Sequence, residues 1–213
     1  MTRTRVIRVD PTGEDPEAER DIAAALLRDA VIAYPTETFY ALGAAAFSKR
    51  AVEKVYHLKG RDAGKPLPVI AADLDMVREI AGPLPPEFRA LAGEFWPGPL
   101  TLVLPASERL PGFLSGPGRT IAVRIPPLGW LRRLVREIAQ PLTSTSANLT
   151  GRNEIADPGE VAALFGGRAD LVVDGGLAPG GAPSTIVDLT TAEPRILREG
   201  AVPAARVWAV LGR

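Results

Sequence analysis

The 213-residue chain predicts one layered domain of the α+β class, built around a mixed parallel and antiparallel sheet. Three observations carry that expectation. Strand-like segments alternate with segments of helical period over most of the length. Three strand candidates then gather near the end, which points away from a purely parallel sheet. Finally, 21 prolines and 21 glycines are spread as punctuation between elements, with no repeat, low-complexity block or internal linker. With 46% hydrophobic residues, residues 1–213 are expected to form a single domain. A chain of this size buries about 70% of its unfolded surface.

Each element has its local reason. Arg5 to Val9 alternates charged and apolar residues as a first strand does, and Asp15 before Pro16 and two glutamates opens a helix to about Asp29. Val31 to Tyr34 is a short buried-type strand stopped by Pro35, and Ser48 caps a helix carrying Val52, Val55, Tyr56 and Leu58 on one face. The intervening loop is functional territory. A strand over Leu67 to Ala71 precedes helices over Leu74 to Ala81 and Pro86 to Glu94. Strands over Leu100 to Leu104 and Thr120 to Ile125 lead to a helix from Pro127 to about Ala139. A short strand ending near Thr143, a polar loop and a helix over Asp157 to Phe165 come next. Asp170 to Val173, Ser184 to Leu189 and Arg195 to Arg198 are the late strands, before a helix from Pro203 to about Leu211.

Composition excludes several classes. Without cysteine there is no disulfide, thiolate metal site or cysteine nucleophile, which suits a reducing cytoplasm. No apolar run approaches the roughly 20 residues of a membrane helix. The formal net charge of zero provides no global field for nonspecific nucleic-acid binding, so any anion site must be local.

The local candidates are specific. All four lysines lie between Lys49 and Lys65. Lys59, Arg61 and Lys65 stand within seven residues, beside Gly60 and Gly64. Such a run suits phosphate or, equally, a solvated cationic helix end. It is no Walker A loop, because its spacing is one residue short and Pro66 stands where a magnesium-binding hydroxyl belongs. The glycines from Gly175 to Gly181 lack a dinucleotide fingerprint and read as a turn. His57 is the only histidine and has no serine elbow, so a structural role is expected for it. Three hydroxyl-rich loops follow strands: Thr36 and Thr38 after Pro35, Thr143 to Asn148, and Ser184 with Thr185 after Pro183. Singly each is an ordinary turn. Together with Lys59, Arg61, Arg124 and Arg198 they can line one pocket for phosphate and carboxylate.

These residues fall in ordered motifs: PTETFYALG from Pro35, KGR from Lys59, KPL from Lys65, WPGPLT from Trp96, VRIP from Val123, SAN from Ser146, PSTIVD from Pro183 and ILREG from Ile196. In them the chain resembles the Sua5/YrdC/YciO family, whose best-known members are threonylcarbamoyl-AMP synthases. The resemblance spans nearly the whole sequence, in the short form with the YrdC-like domain alone. It implies a twisted mixed sheet with flanking helices around a basic concave cavity. It also implies a nucleotidyltransferase joining L-threonine, bicarbonate and ATP into threonylcarbamoyl-AMP and pyrophosphate. Carried over by motif, Lys59 and Arg61 are the catalytic cations. Lys65, Ser144, Ser146, Asn148 and Arg198 complete the ATP site with them, and Thr36, Thr38, Arg124 and Ser184 surround threonine. Mg2+ is expected to arrive with ATP, since no dense carboxylate cluster offers a resident metal site. The product would serve N6-threonylcarbamoyladenosine formation in tRNA through a separate transferase complex.

Phe39, Ala41 and Ile70 depart from residues common in the family, which bears on the threonine contacts. Two other readings differ in class. An RNA-binding or ribosome-associated module, taking tRNA or double-stranded RNA through the same concavity, would show steep salt dependence without ATP or threonine binding. A carbamoyl-adenylate enzyme of the hydrogenase-maturation type is disfavoured by the absence of cysteine. Lys59 and Arg61 are both expected on a solvent-facing loop.

Overall fold

The computed structural model describes residues 4–60, 66–149 and 151–213. Its first part holds β1 (Arg5–Arg8), α1 (Pro16–Leu26), β2 (Ile32–Pro35), β3 (Tyr40–Gly43), α2 (Lys49–Lys59) and β4 (Val69–Ile70). Next come α3 (Leu74–Ile80), α4 (Pro86–Phe95), β5 (Leu100–Pro105), β6 (Thr120–Arg124) and α5 (Gly129–Glu137). Then follow β7 (Leu142–Thr143), β8 (Thr145–Ser146), α6 (Pro158–Phe165), β9 (Leu171–Asp174), β10 (Thr185–Asp188), β11 (Arg195–Arg198) and α7 (Ala204–Val210). The α+β class with mixed strand pairing is as expected.

Caps mark the helix starts that the sequence announces. Asp15 accepts from the Ala18 amide and Ser48 from the Ala51 amide, each supplying an orphan donor of the first turn. α2 stops at Gly60, whose φ of 58° is the left-handed conformation that glycine adopts without strain.

The strands form two sheets where one was expected. The first runs β1-β9-β2-β3-β8 and the second β11-β10-β5-β6-β4-β7. Parallel pairs, such as β1 with β9 and β5 with β10, sit beside antiparallel ones, such as β2 with β3 and β5 with β6. Two apolar clusters hold the layers. β2 divides between them with the two-residue period of a strand: Ala33 joins one, while Ile32 and Tyr34 join the other. The larger cluster takes Val172 from the first sheet and Val69 and Leu102 from the second, so the sheets share a core. The smaller packs Ile22 and Leu26 of α1 against Trp130 and Leu134 of α5.

The chain crosses between the sheets at Ser144, the single residue separating β7 from β8. Tyr34 donates to the Thr143 carbonyl across this junction at 3.2 Å, and the Ser144 amide donates to Pro68 at 2.8 Å. Gly43 permits the approach, because a Cβ there would stand 2.3 Å from the Thr143 carbonyl oxygen. Among the described residues, no helix is long and apolar enough to cross a membrane.

Candidate functional site

One rank of residues crosses five strands of the second sheet. Arg198 of β11 pairs with Ile186 of β10, and Ile186 with Thr101 of β5. Leu102 faces Val123, which puts Thr101 beside Arg124 of β6, and Arg124 pairs in turn with Ile70 of β4. Residues in one rank share a face of the sheet. All five line a cavity of about 230 Å³. The opposite wall comes from the first sheet, where Ala41 pairs with Ser146, and from the turn at Thr36 and Thr38. Ser144, Ser184 and Glu154 also face the space. The cavity therefore sits where the two sheets meet, a common place for a ligand site.

Its polar groups are tied in place. The Thr36 hydroxyl donates to the Phe39 carbonyl at 2.6 Å and accepts from the Thr38 amide at 3.2 Å, closing the turn on itself. The hydroxyls of Ser184 and Thr101 lie 2.9 Å apart. Arg198 forks onto the Ser184 carbonyl through Nη2 at 2.8 Å and Nε at 3.1 Å. Gly200 allows this close return of the chain, since a Cβ there would lie 2.0 Å from the Pro183 carbonyl oxygen. Arg124 is buried and ion-paired with Glu37.

The charges inside follow from burial. Burial pulls the Arg124 guanidinium down to about 10, and Arg198 adds repulsion, yet Arg124 stays cationic at neutral pH. Partial burial also lowers Arg198, opposed by the carboxylate of Glu154. Tyr34 is raised well above the usual phenol range by full burial. Tyr40 is pushed up to about 12 mainly for the same reason.

Seven of the residues expected around ligands line this one space: Thr36, Thr38, Arg124, Ser144, Ser146, Ser184 and Arg198. Asn148 and Lys59 stand behind Ser146. The Lys59 ammonium donates to the Ser146 carbonyl at 2.7 Å, the Ser146 hydroxyl at 3.2 Å and Asn148 Oδ1 at 2.6 Å. The expectation of a solvent-facing Lys59 is corrected: its place is the last turn of α2, only 4% exposed, because three acceptors from the 146–148 segment draw the ammonium inward. Arg61 and Lys65 lie outside the described residues. His57 lies on the exposed side of α2, away from the cavity lining.

Thr101, Glu37 and Glu154 were missed as individual site residues. Thr101 had a signal, a lone hydroxyl inside the apolar run LTLVL, where a buried polar group needs a partner. Glu37 stood in the loop from Pro35 to Thr38 that was expected at a ligand crevice, but only the hydroxyls and backbone there were given a role. Conversely, Thr143 and Thr185 of the hydroxyl loops face inward and serve the fold. Thr143 accepts from the Ala44 amide, while Thr185 donates to the Val202 carbonyl at 2.6 Å.

Two mixed sheets meeting at a polar, arginine-bearing cavity define an α+β domain with a small-molecule pocket. The family model Sua5_yciO_yrdC, described as Telomere recombination, matches residues 24–200, and the chain belongs to this Sua5/YciO/YrdC family. It is 38% identical over 192 residues to a threonylcarbamoyl-AMP synthase of Pyrococcus abyssi, covering 90% of this chain and 56% of that protein. A second such synthase, from Bacillus subtilis, is 38% identical over 210 residues, covering 96% of this chain and 60% of its own length. This chain thus spans a little over half of each. The crystal structure of Pyrococcus abyssi Sua5 complexed with L-threonine superimposes with a TM-score of 0.91 at 35% identity, covering 99% of this chain and 61% of that one.

Proposed function

We propose that this chain is a threonylcarbamoyl-AMP synthase, an adenylyl-transferring enzyme that consumes L-threonine, bicarbonate and ATP. The observation that carries the reading is one cavity holding a buried arginine, Arg124, and a second arginine, Arg198, with hydroxyls between and opposite them. The names of the two relatives and the threonine bound to the Pyrococcus Sua5 support it.

In this reading the threonine amine and bicarbonate form a carbamate with loss of water. A carbamate oxygen then attacks the α-phosphorus of ATP, and pyrophosphate leaves. Arg124 takes the threonine carboxylate, as a planar guanidinium suits a carboxylate, with Thr36, Thr38 and Ser184 around the amino acid. Arg198, Ser144 and Ser146 face the nucleotide, with Lys59 and Asn148 holding the Ser146 segment and Arg61 and Lys65 remaining as phosphate cations. Mg2+ accompanies ATP. Orientation of bound reactants supplies about 7–11 kcal/mol of the acceleration, so no enzyme nucleophile is needed.

Residues 1–213 act as one domain in the cytoplasm, and a separate transferase complex passes the threonylcarbamoyl group to tRNA. The decisive assay incubates the protein with threonine, bicarbonate and Mg-ATP and follows threonine-dependent pyrophosphate release. No release, together with salt-sensitive RNA binding, would replace the synthase with an RNA-binding module.

A further inference from the structure

The turn that begins PTETFYALG does more than present two hydroxyls. Thr36 and Thr38 line the cavity, whereas Glu37 between them does not. Its side chain instead meets Arg124 from behind, with Oε1 accepting from Nη1. The pair is well enclosed, the Arg124 side chain being 10% exposed and that of Glu37 14%. Glu37 Oε2 is buried and has no hydrogen-bond partner among the described residues. The carboxylate is therefore held inside the protein through its contact with Arg124.

A guanidinium carries five N–H donors in one rigid plane, so fixing one nitrogen sets the direction of the others. With Nη1 held from the wall side, Arg124 still lines the cavity, where its remaining edge is available to a ligand. Glu37 also answers an electrostatic need. Arg124 and Arg198 share a rank and repel each other, and burial further disfavours the Arg124 charge. Glu154 lies in the same cavity but acts on Arg198. Among the described residues, Glu37 is the carboxylate in contact with Arg124.

We propose that Glu37 is a positioning residue, which aims and neutralises Arg124 from behind so that its free edge receives the carboxylate of the amino-acid substrate. This rests on the synthase reading for the identity of that substrate, and on geometry alone for the control of Arg124. The opposite role, an internal carboxylate competing with the ligand, predicts the opposite sign.

Glu37→Ala and Glu37→Gln separate the two. Steady-state pyrophosphate release is expected to show a KM for L-threonine raised at least about tenfold in Glu37→Ala, with the KM for ATP within about twofold of wild type. Glu37→Gln, which keeps the shape and the acceptor, is expected to fall between, and it serves if the alanine variant does not fold. A threonine KM that is unchanged or lowered in a folded variant overturns the proposal. Crystal structures of the ligand-free variants provide a readout independent of turnover. The Arg124 guanidinium should leave its wild-type position in Glu37→Ala, or in Glu37→Gln if only that variant folds, and an unmoved Arg124 overturns the positioning role. Absence of threonine-dependent turnover in the wild type would instead remove the synthase reading, leaving the structural test of Glu37 to decide by itself.

Discussion

The floor of the cavity and the loop at its far side are fixed by different means. On the floor, side chains of β4, β6, β5, β10 and β11 stand in one rank because backbone ladders set their register. At the end of β8 the ladder is short, with Ser146 pairing with Ala41 and the Ala147 amide donating to the Tyr40 carbonyl at 2.8 Å, and the 146–148 segment is tied in addition to one ammonium, that of Lys59. A sheet distributes the placement of a site over many backbone bonds. Where the ladder runs out, more of the placement falls to a single side chain, so one substitution reaches further.

The largest effect is nevertheless expected on the floor, where register alone cannot support a buried charge. Arg124→Ala strands Glu37 inside the protein, and removing one partner of a buried ion pair costs about 3–5 kcal/mol. Chemical denaturation should report that loss, and threonine-dependent turnover should fall below detection. A variant with wild-type stability would show that the pair is not held in the dry environment its burial implies.

Lys59→Ala tests the loop side. Three acceptors lose a charged donor, for an expected cost of about 2–3 kcal/mol together with a raised KM for ATP. Amide hydrogen exchange at residues 146–148 should quicken while β5 and β6 stay protected. If exchange changes equally in both regions, the contrast between ladder and loop is lost.

The same contrast explains what could be read beforehand. Helix starts were legible because Asp15, Ser48 and Asp157 carry their caps next to an apolar period. β3 was not, since Tyr40 to Gly43 is buried throughout and lacks the alternation that marks a half-exposed strand. β8 has only two residues and hides in a polar run. The second sheet was invisible because alternation shows that strands exist, not which strands pair. At the site, motifs found Arg124, Ser144, Ser184 and Arg198, but the side facing each hydroxyl depends on register. Lys59 was misplaced because a lysine beside Gly60 reads as exposed until its acceptors, 87 to 89 residues away, are known.

Ser184 and Thr185 put that dependence on register into two adjacent residues. Ser184 lines the cavity, and its hydroxyl touches only Thr101 and Arg198 among the described residues. Thr185 is fully buried and also accepts from the Gly200 and Val202 amides. Thr185→Val should therefore cost about 1–3 kcal/mol by leaving those amides unpaired. Ser184→Ala should leave stability within about 0.5 kcal/mol while raising the threonine KM several-fold. Matching thermal shifts for the two would mean that the alternation leading into β10 does not sort fold from site.

Ser48→Ala has the smallest expected effect on turnover and is the control for distance, because the α2 cap lies outside the cavity lining. Losing the bond to the Ala51 amide should cost about 1 kcal/mol, with turnover unchanged. The same hydroxyl donates to Asp29 at 2.5 Å, and that bond first, then Arg50, holds the Asp29 carboxyl below its ordinary value of 3.8. A depressed carboxyl contributes stability above its unfolded pKa and loses it as pH falls through the folded one. The Ser48→Ala penalty should accordingly be largest near neutral pH and shrink below pH 3.8, without vanishing, because the bond to the Ala51 amide does not titrate. A penalty independent of pH would assign the whole effect to the cap and none to Asp29.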